Sequence, residues 1–363
     1  MELSSLNPEQ RQAVRTVDGP LLILAGAGTG KTRVITSRVA YMISRGIRPR
    51  NILAVTFTNK AAREMKERVK SLVPKRRLVG EDGQTEKPTI CTFHSLCVRI
   101  LRLHITKLGY KKNFVIYDAT EQLGVVRRIL SQISLGSKKP DPYAVLSLIS
   151  RWRNSNSDEL IAEDQDLAAL AKHLVATYQQ TLKASNAVDF DDLILLVLRL
   201  FAECPEALDE CRERYRYIMV DEYQDTNSSQ FELVHSLARE HRNFCVVGDD
   251  DQSIYGWRGA EVANLLDLDK YFPDVKVVKL EQNYRSTNTI LGAANAVIKN
   301  NVQRREKKLW SNKGAGESIT LCEFRDDEEE AQALVEEISF NRSIKKVKWR
   351  EQAILFRTNQ QSR

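Results

Sequence analysis

The chain has 363 residues, 42% of them hydrophobic and 28% charged, with 55 Lys and Arg against 48 Asp and Glu for a net charge of +7. This is enough apolar material for a sizeable core and enough length for two or three domains at roughly 100–200 residues each. The excess of positive charge permits a polyanionic partner without establishing one. Six cysteines stand scattered with no C-x-x-C pair, which excludes a disulfide scaffold and points to a reducing compartment. Glu2 and Asn7 interrupt any leader-like apolar run, and no stretch approaches the roughly 20 apolar residues of a membrane span. The expectation is an intracellular protein with no membrane contact.

In chain order, Leu6-Asn7-Pro8-Glu9-Gln10 reads as a helix start, with Asn7 as cap and Pro8 at the first helical position. Gln10 is either part of that start or, just upstream of a phosphate loop, an amide able to donate and accept toward a purine base. The apolar run Leu21-Leu22-Ile23-Leu24 then leads into Ala25-Gly26-Ala27-Gly28-Thr29-Gly30-Lys31-Thr32, followed by a helical pattern. This is the strand, glycine loop and helix of a phosphate-binding loop, with alanine in place of the usual first glycine. Backbone N–H groups there converge on phosphate oxygens, Lys31 reaches the outer phosphates, and the Thr32 hydroxyl is placed for Mg²⁺.

Further strand–loop–helix units follow. Ile52-Leu53-Ala54-Val55 runs into Thr56-Phe57-Thr58-Asn59-Lys60 and a helix over 61–69, and Thr89-Ile90-Cys91-Thr92 runs into a helix starting near Ser95. Such repetition predicts an α/β fold with a parallel sheet. Residues 74–87 read as an exposed polar loop. Between 101 and 188 strand signals nearly vanish; helices are predicted over 121–133, 142–152 and 167–183, with polar joints at 137–139 and 154–158, making this a helical insertion. A helix over 193–202 follows. The sheet resumes at 217–220, 243–247 and 275–280, and a helix is predicted over 289–299. A new unit then begins, with a strand over 318–324, an acidic helix over 326–338 and a strand over 352–357. The expected domains are 1–100 with 189–280, the insertion 101–188, and 281–363 as the start of another domain, cut short at Arg363.

The strand ending in Asp221-Glu222 supplies what a nucleotide hydrolase needs beside its loop: one carboxylate to hold Mg²⁺ and a neighbour to orient and deprotonate water. Gln252, after another strand, is placed to sense a terminal phosphate. Tyr255, Trp257 and Arg258 follow in a glycine-bearing loop and suit either base stacking or core packing; Phe57 and Phe190 carry the same two readings. Arg285 is either a surface arginine or a finger reaching the terminal phosphate. Cys91, His94 and Cys97 lie close together, but no further ligand follows at zinc spacing.

Taken in order, these stretches resemble the superfamily 1 DNA helicases of the UvrD/PcrA/Rep type. Residues 6–10 resemble the Q motif, 25–32 motif I, 54–64 motif Ia, 92–95 motif Ib, and 189–193 the motif named for its aspartates. Residues 220–227 resemble motif II, 246–259 motif III and 280–287 motif IV. The resemblance implies two RecA-like domains clasping ATP, with helical insertions. It implies that Gln10 and Arg33 meet adenine, with Tyr284 stacked on it, and that Ala25, Gly26, Gly28, Thr29, Gly30, Lys31 and Thr32 form the nucleotide loop. Thr32 and Asp221 would hold Mg²⁺, while Lys31, Asp221, Glu222, Gln252 and Arg285 would carry hydrolysis. Phe57, Asn59, Phe190, Tyr255, Trp257 and Arg258 would line a single-stranded DNA track, and Thr92 and His94 would touch its phosphates. Gly256 stands where several members carry arginine.

The implied activity is ATP-dependent 3′→5′ unwinding of tailed duplex DNA in repair, replication or recombination. The alternatives are a translocase that strips bound proteins, or the motor of a helicase–nuclease. Motifs V and VI would follow Arg363, so the chain is expected to be a truncated, monomeric piece with weak ATP binding and little coupled unwinding.

Overall fold

The computed structural model describes residues 3–79, 83–133, 140–154 and 164–362. The predicted joint at 137–139, most of the one at 154–158, and residues 80–82 of the polar loop lie outside the described residues. Two compact units are present, Met1–Gly314 and Ala315–Arg363.

The first unit is built on a parallel sheet whose strands are β1 (Leu21–Ala25), β2 (Ile52–Thr56), β3 (Thr89–Thr92), β6 (Tyr217–Val220), β7 (Phe244–Gly248) and β8 (Lys276–Leu280). β4 (Val115–Ile116) and β5 (Ala187–Val188) form a separate parallel pair. The six-stranded order is β3-β2-β6-β7-β1-β8, with every pairing parallel. The sheet's strands are thus the predicted ones. They read as unbroken apolar runs because a parallel sheet is covered on both faces. Successive side chains point to opposite faces, and the packing divides accordingly. Leu22, Leu24, Leu53, Val55, Ile218, Val220 and Val246 enter one core, while Leu21, Ile23, Ala25, Ile52, Ala54, Met219 and Cys245 enter the other.

The helices are α1 (Pro8–Arg15), α2 (Lys31–Ser44), α3 (Asn59–Leu72), α4 (Phe93–His104), α5 (Ala119–Ser131), α6 (Pro142–Asn154), α7 (Gln165–Ala184), α8 (Phe190–Glu203), α9 (Pro205–Arg214), α10 (Ser228–Ala238), the short α11 (Ala263–Leu266) and α12 (Leu268–Tyr271), and α13 (Asn288–Val297). Asn7 and Gln10 close a capping box on α1. Arg38 of α2 is buried and donates to the carbonyls of Ala13, Thr16 and Val17, satisfying the C-terminal end of α1. α5, α6 and α7 share their own core around Val126, Val145, Ile149, Leu174 and Tyr178. The region where strand signals nearly vanish also contains β4 and β5, two-residue strands too short to leave a sequence signal.

The α5–α7 core is pinned to the N-terminal end of α8. Arg153 is buried and donates to Asp189 Oδ2 at 2.6 Å and to Asp192. The Tyr178 hydroxyl donates to Asp189 Oδ2 at 3.0 Å, and the Ser150 hydroxyl to Asp191 at 2.6 Å. Asp189 is also the N-cap of α8. The aspartates of this motif therefore fasten one substructure to another.

In the second unit the acidic segment forms α14 (Asp327–Ser343), capped by Asp326. The strands predicted over 318–324 and 352–357 do not form. An apolar run becomes a strand only when a neighbour takes its backbone hydrogen bonds, and within this unit neither segment finds one. Leu321 and Leu355 are each 94% exposed as a result.

Candidate functional site

The loop after β1, the acidic turn after β6 and the turn after β7 all lie at the carboxyl ends of parallel strands, where open α/β sheets bind ligands. Gly28 adopts φ +70°, and a Cβ there would sit 2.7 Å from Asn283 Nδ2 and 2.8 Å from Arg285 Cβ. Only glycine meets both demands. The segment after β8 lies directly against the loop. Asn283 Nδ2 donates to the Ala27 carbonyl at 2.6 Å, and the Tyr284 N–H donates to the Gly28 carbonyl at 2.9 Å.

The loop's polar groups are engaged with one another. Lys31 Nζ lies 2.7 Å from Glu222 Oε2. The Thr29 hydroxyl is buried and donates to the Gly26 carbonyl at 2.8 Å. Gln10 is 1% exposed; its Oε1 accepts from the Asn7 N–H and its Nε2 donates to the Thr29 carbonyl at 2.9 Å. The amide expected to read a base thus braces the loop's backbone. Arg33 is exposed and donates to the Ser5 carbonyl, and Tyr284 is half-exposed.

Asp221 is buried, and its carboxyl is pushed up to about 7, first by burial and then by the adjacent Glu222; Lys31 opposes the shift. Glu222 holds a left-handed conformation at φ 52°, uncommon for a side chain of its kind. Its Oε2 also accepts from Gln224 Nε2 at 3.0 Å. Burial and Glu222 raise Asp225 to about 6. The acceptor end of Gln224 takes the Asp249 N–H at 3.0 Å, and Asp249 in turn accepts from Gln252 Nε2. A continuous hydrogen-bonded path therefore runs Lys31–Glu222–Gln224–Asp249–Gln252. Gln224 went unread in the sequence because its spacing resembles no ligand pattern; its contact with Asp249 spans 25 residues.

Arg285 is exposed, and its guanidinium has no ion-pair partner among the described residues. Thr32 and Asp221 offer the oxygen donors a hard cation prefers, and the Thr32 hydroxyl donates to no described residue. The carboxyl of Asp221, buried with no cation besides Lys31 among the described residues to offset it, fits a divalent metal.

Beyond Gln252 the loop turns outward. Trp257 is 74% exposed and Tyr255 41%, and Arg258 stands 4.5 Å from the Trp257 ring centre and 5.7 Å from that of Tyr255. Core packing is not their role. A Cβ on Gly256 would meet nothing within 4 Å. Phe190 is 51% exposed, with the His94 ring edge-on at 5.7 Å. Phe57 is half-buried against Phe93, and Asn59 is exposed at the start of α3. Thr92 is buried, and its hydroxyl caps α4 and donates to Ser95. Cys91 and Cys97 are buried with their thiols pushed up by burial, Cys91 to about 11, so neither is a ready metal ligand.

A glycine loop between a buried parallel strand and a helix, faced by an acidic strand end, defines a RecA-like P-loop fold. The model of the UvrD/REP helicase N-terminal domain matches residues 6–273, and that of the UvrD-like helicase C-terminal domain matches 278–363. The chain belongs to the UvrD/REP helicase family. Among its relatives, the ATP-dependent DNA helicase PcrA of Staphylococcus aureus is 46% identical over 366 residues, covering 99% of this chain and 49% of the relative. The protein of the same name from Staphylococcus epidermidis is 46% identical over 368 residues, with the same coverage. The chain spans about half the length of these curated relatives.

Proposed function

We propose that this chain binds ATP with Mg²⁺ at the Gly26–Thr32 loop and single-stranded DNA on the Phe190 and Tyr255–Arg258 surface. The observation that carries this is the hydrogen-bonded path from Lys31 to Gln252, which ends where the exposed aromatic loop begins. In a chain as long as the named relatives, the same parts would drive 3′→5′ movement on single-stranded DNA and separation of tailed duplex. The proposed division is a RecA-like domain over 1–100 and 189–280, a helical insertion over 101–188, and residues of a second RecA-like domain over 281–363. We further propose an intracellular, monomeric protein; among the described residues no helix is long and apolar enough to cross a membrane.

The chain's residues divide the work. Lys31 exchanges Glu222 for phosphate oxygens, and Glu222, released, turns to orient water and accept its proton. Thr32 and Asp221 would hold Mg²⁺, whose bound charge offsets that of the phosphates. Asp221 must give up its proton to do so. Gln252 leaves Asp249 for the terminal phosphate, and Arg285, free at the edge of the loop, adds positive charge. Each move transmits along the Gln224 bridge to the aromatic loop.

ATP turnover by the purified chain, measured with and without oligothymidine, tests the reading. Slow hydrolysis that rises with DNA and vanishes in Glu222→Gln supports it. Turnover indifferent to both would sink it. DNA-stimulated turnover at a full helicase rate would overturn the expectation that this length of chain is only weakly active.

A further inference from the structure

The segment between α13 and Gly314 touches two parts of the site at once. Asn295 holds its backbone by donating to the Leu309 carbonyl at 2.9 Å and accepting from the Leu309 N–H at 3.2 Å. Leu309 lies so close over the phosphate loop that a Cβ on Gly26 would come within 2.3 Å of its Cδ2. The Trp310 N–H donates to the Glu281 carbonyl, and the Asn283 N–H to that of Trp310, tying the segment to the stretch after β8 that carries Tyr284 and Arg285.

A few residues earlier, Lys307 is buried among the three carboxylates after β7. Its Nζ stands 2.9 Å from Asp249 Oδ1, 2.6 Å from Asp250 Oδ1 and 2.6 Å from Asp251 Oδ2. Arg304 grips Asp251 with two prongs at 3.0 and 2.9 Å, and the Arg305 N–H donates to Asp250 at 2.7 Å. The carboxylate oxygens lie within 4.8 Å of one another, close enough for a metal ion, and the Lys307 ammonium serves in its place. Burial works to raise Asp251, yet the hydrogen bonds from Arg304 and Lys307 more than offset it and hold the group below the usual carboxylate range. Asp249 is shared: one oxygen takes Lys307, the other takes Gln252 Nε2.

We propose that Lys307 is a positioning residue for terminal-phosphate recognition, holding Asp249 so that Gln252 can leave it for the nucleotide. When Gln252 departs, a buried carboxylate loses a donor, and an unpaired buried charge is costly. Lys307 keeps that carboxylate paired. The same ion cluster fastens the segment to the sensor turn, so the residues that cover the phosphate loop and those that sense the phosphate are set by one anchor. The inference rests on the nucleotide reading of the Gly26–Thr32 loop proposed above.

The test compares affinities for ATPγS and ADP, measured with Mg²⁺ by competition against a fluorescent ADP analogue on the 363-residue chain. Lys307→Met alone leaves a surplus of buried negative charge and risks unfolding. The Lys307→Met/Asp250→Asn pair keeps the cluster's net charge and leaves Asp249 without its lysine. We expect the pair to cut the preference for ATPγS about tenfold, as Gln252→Ala does, with ADP affinity unchanged. Adding Gln252→Ala to the pair lowers it no further, and Lys307→Arg retains most of it. A pair variant that folds and keeps the wild-type preference overturns the role of Lys307 and leaves the nucleotide site standing. A wild-type chain that binds neither nucleotide, or a Gln252→Ala variant with undiminished preference, removes the site itself and this inference with it.

Discussion

The two faces of the site differ in how their side chains wait for a ligand. On the phosphate-loop face Lys31, Gln10 and Thr29 already have internal partners: Lys31 with Glu222, Gln10 with Thr29, Thr29 with Gly26. On the aromatic face Trp257, Tyr255 and Phe190, the aromatic residues proposed to meet DNA, are instead exposed, with Arg258 over the first two rings and His94 edge-on to the third. A ligand on the first face must replace bonds that exist, so its binding follows charge and protonation. A ligand on the second adds contact to free surface, so its binding follows stacking area and salt.

Lys31→Ala should break the first face most deeply. It removes the phosphate-binding cation and strands Glu222, and nucleotide binding should fall by roughly 100-fold or more while oligothymidine affinity stays within about twofold. Fluorescence titrations with nucleotide and with DNA check both halves.

Asp221→Asn sharpens the same face through pH. The folded protein holds a proton on Asp221 up to about 7, whereas the unfolded chain releases it near 3.8, the ordinary value for an aspartate. The folded state therefore binds the proton more tightly, and this group lowers stability progressively as pH rises from 4 to 7. Without metal, the asparagine variant should be more stable than wild type at pH 8 by on the order of 3 kcal/mol, with the difference vanishing near pH 4. Urea unfolding across that range in EDTA measures it; equal midpoints at pH 8 would contradict the raised titration of the buried carboxyl.

On the aromatic face, Trp257→Ala should weaken single-stranded DNA binding by roughly 1–3 kcal/mol with the melting temperature nearly unchanged, since its ring is 74% exposed. Gly256→Arg should have the smallest effect. A side chain there meets open space, so the variant should fold normally, gain a few-fold in DNA affinity and steepen its salt dependence by about one released ion. Loss of DNA binding in this variant would mean that the loop must close tightly on its ligand.

The contrast also separates what could be read in the sequence from what could not. The phosphate loop, the acidic pair and all six strands of the main sheet were legible because each is local: a glycine spacing, a strand end, an apolar run buried on both faces. The exposure of Tyr255 and Trp257 was legible only through the family resemblance, because their residue types suit core and surface equally. Gln224 and Lys307 escaped notice for another reason. Their meaning lies wholly in contacts made far along the chain, 57 residues apart for Lys307 and Asp250. The segments over 318–324 and 352–357 show the converse, since their strand-like patterns have no neighbour to pair with. α9 and α10 were passed over as well: Glu206, Asp209, Glu210, Arg212 and Glu213 mask the first, and the polar start Ser228-Ser229-Gln230 obscures the second.

The central claim is that the two faces are joined through Gln224. The direct measurement is oligothymidine affinity of this chain in Mg-ATPγS and again in Mg-ADP. The claim requires the two affinities to differ by about fivefold or more, and to become equal in Gln224→Ala. Equal affinities in the wild-type chain, with both nucleotides shown to bind, would contradict it.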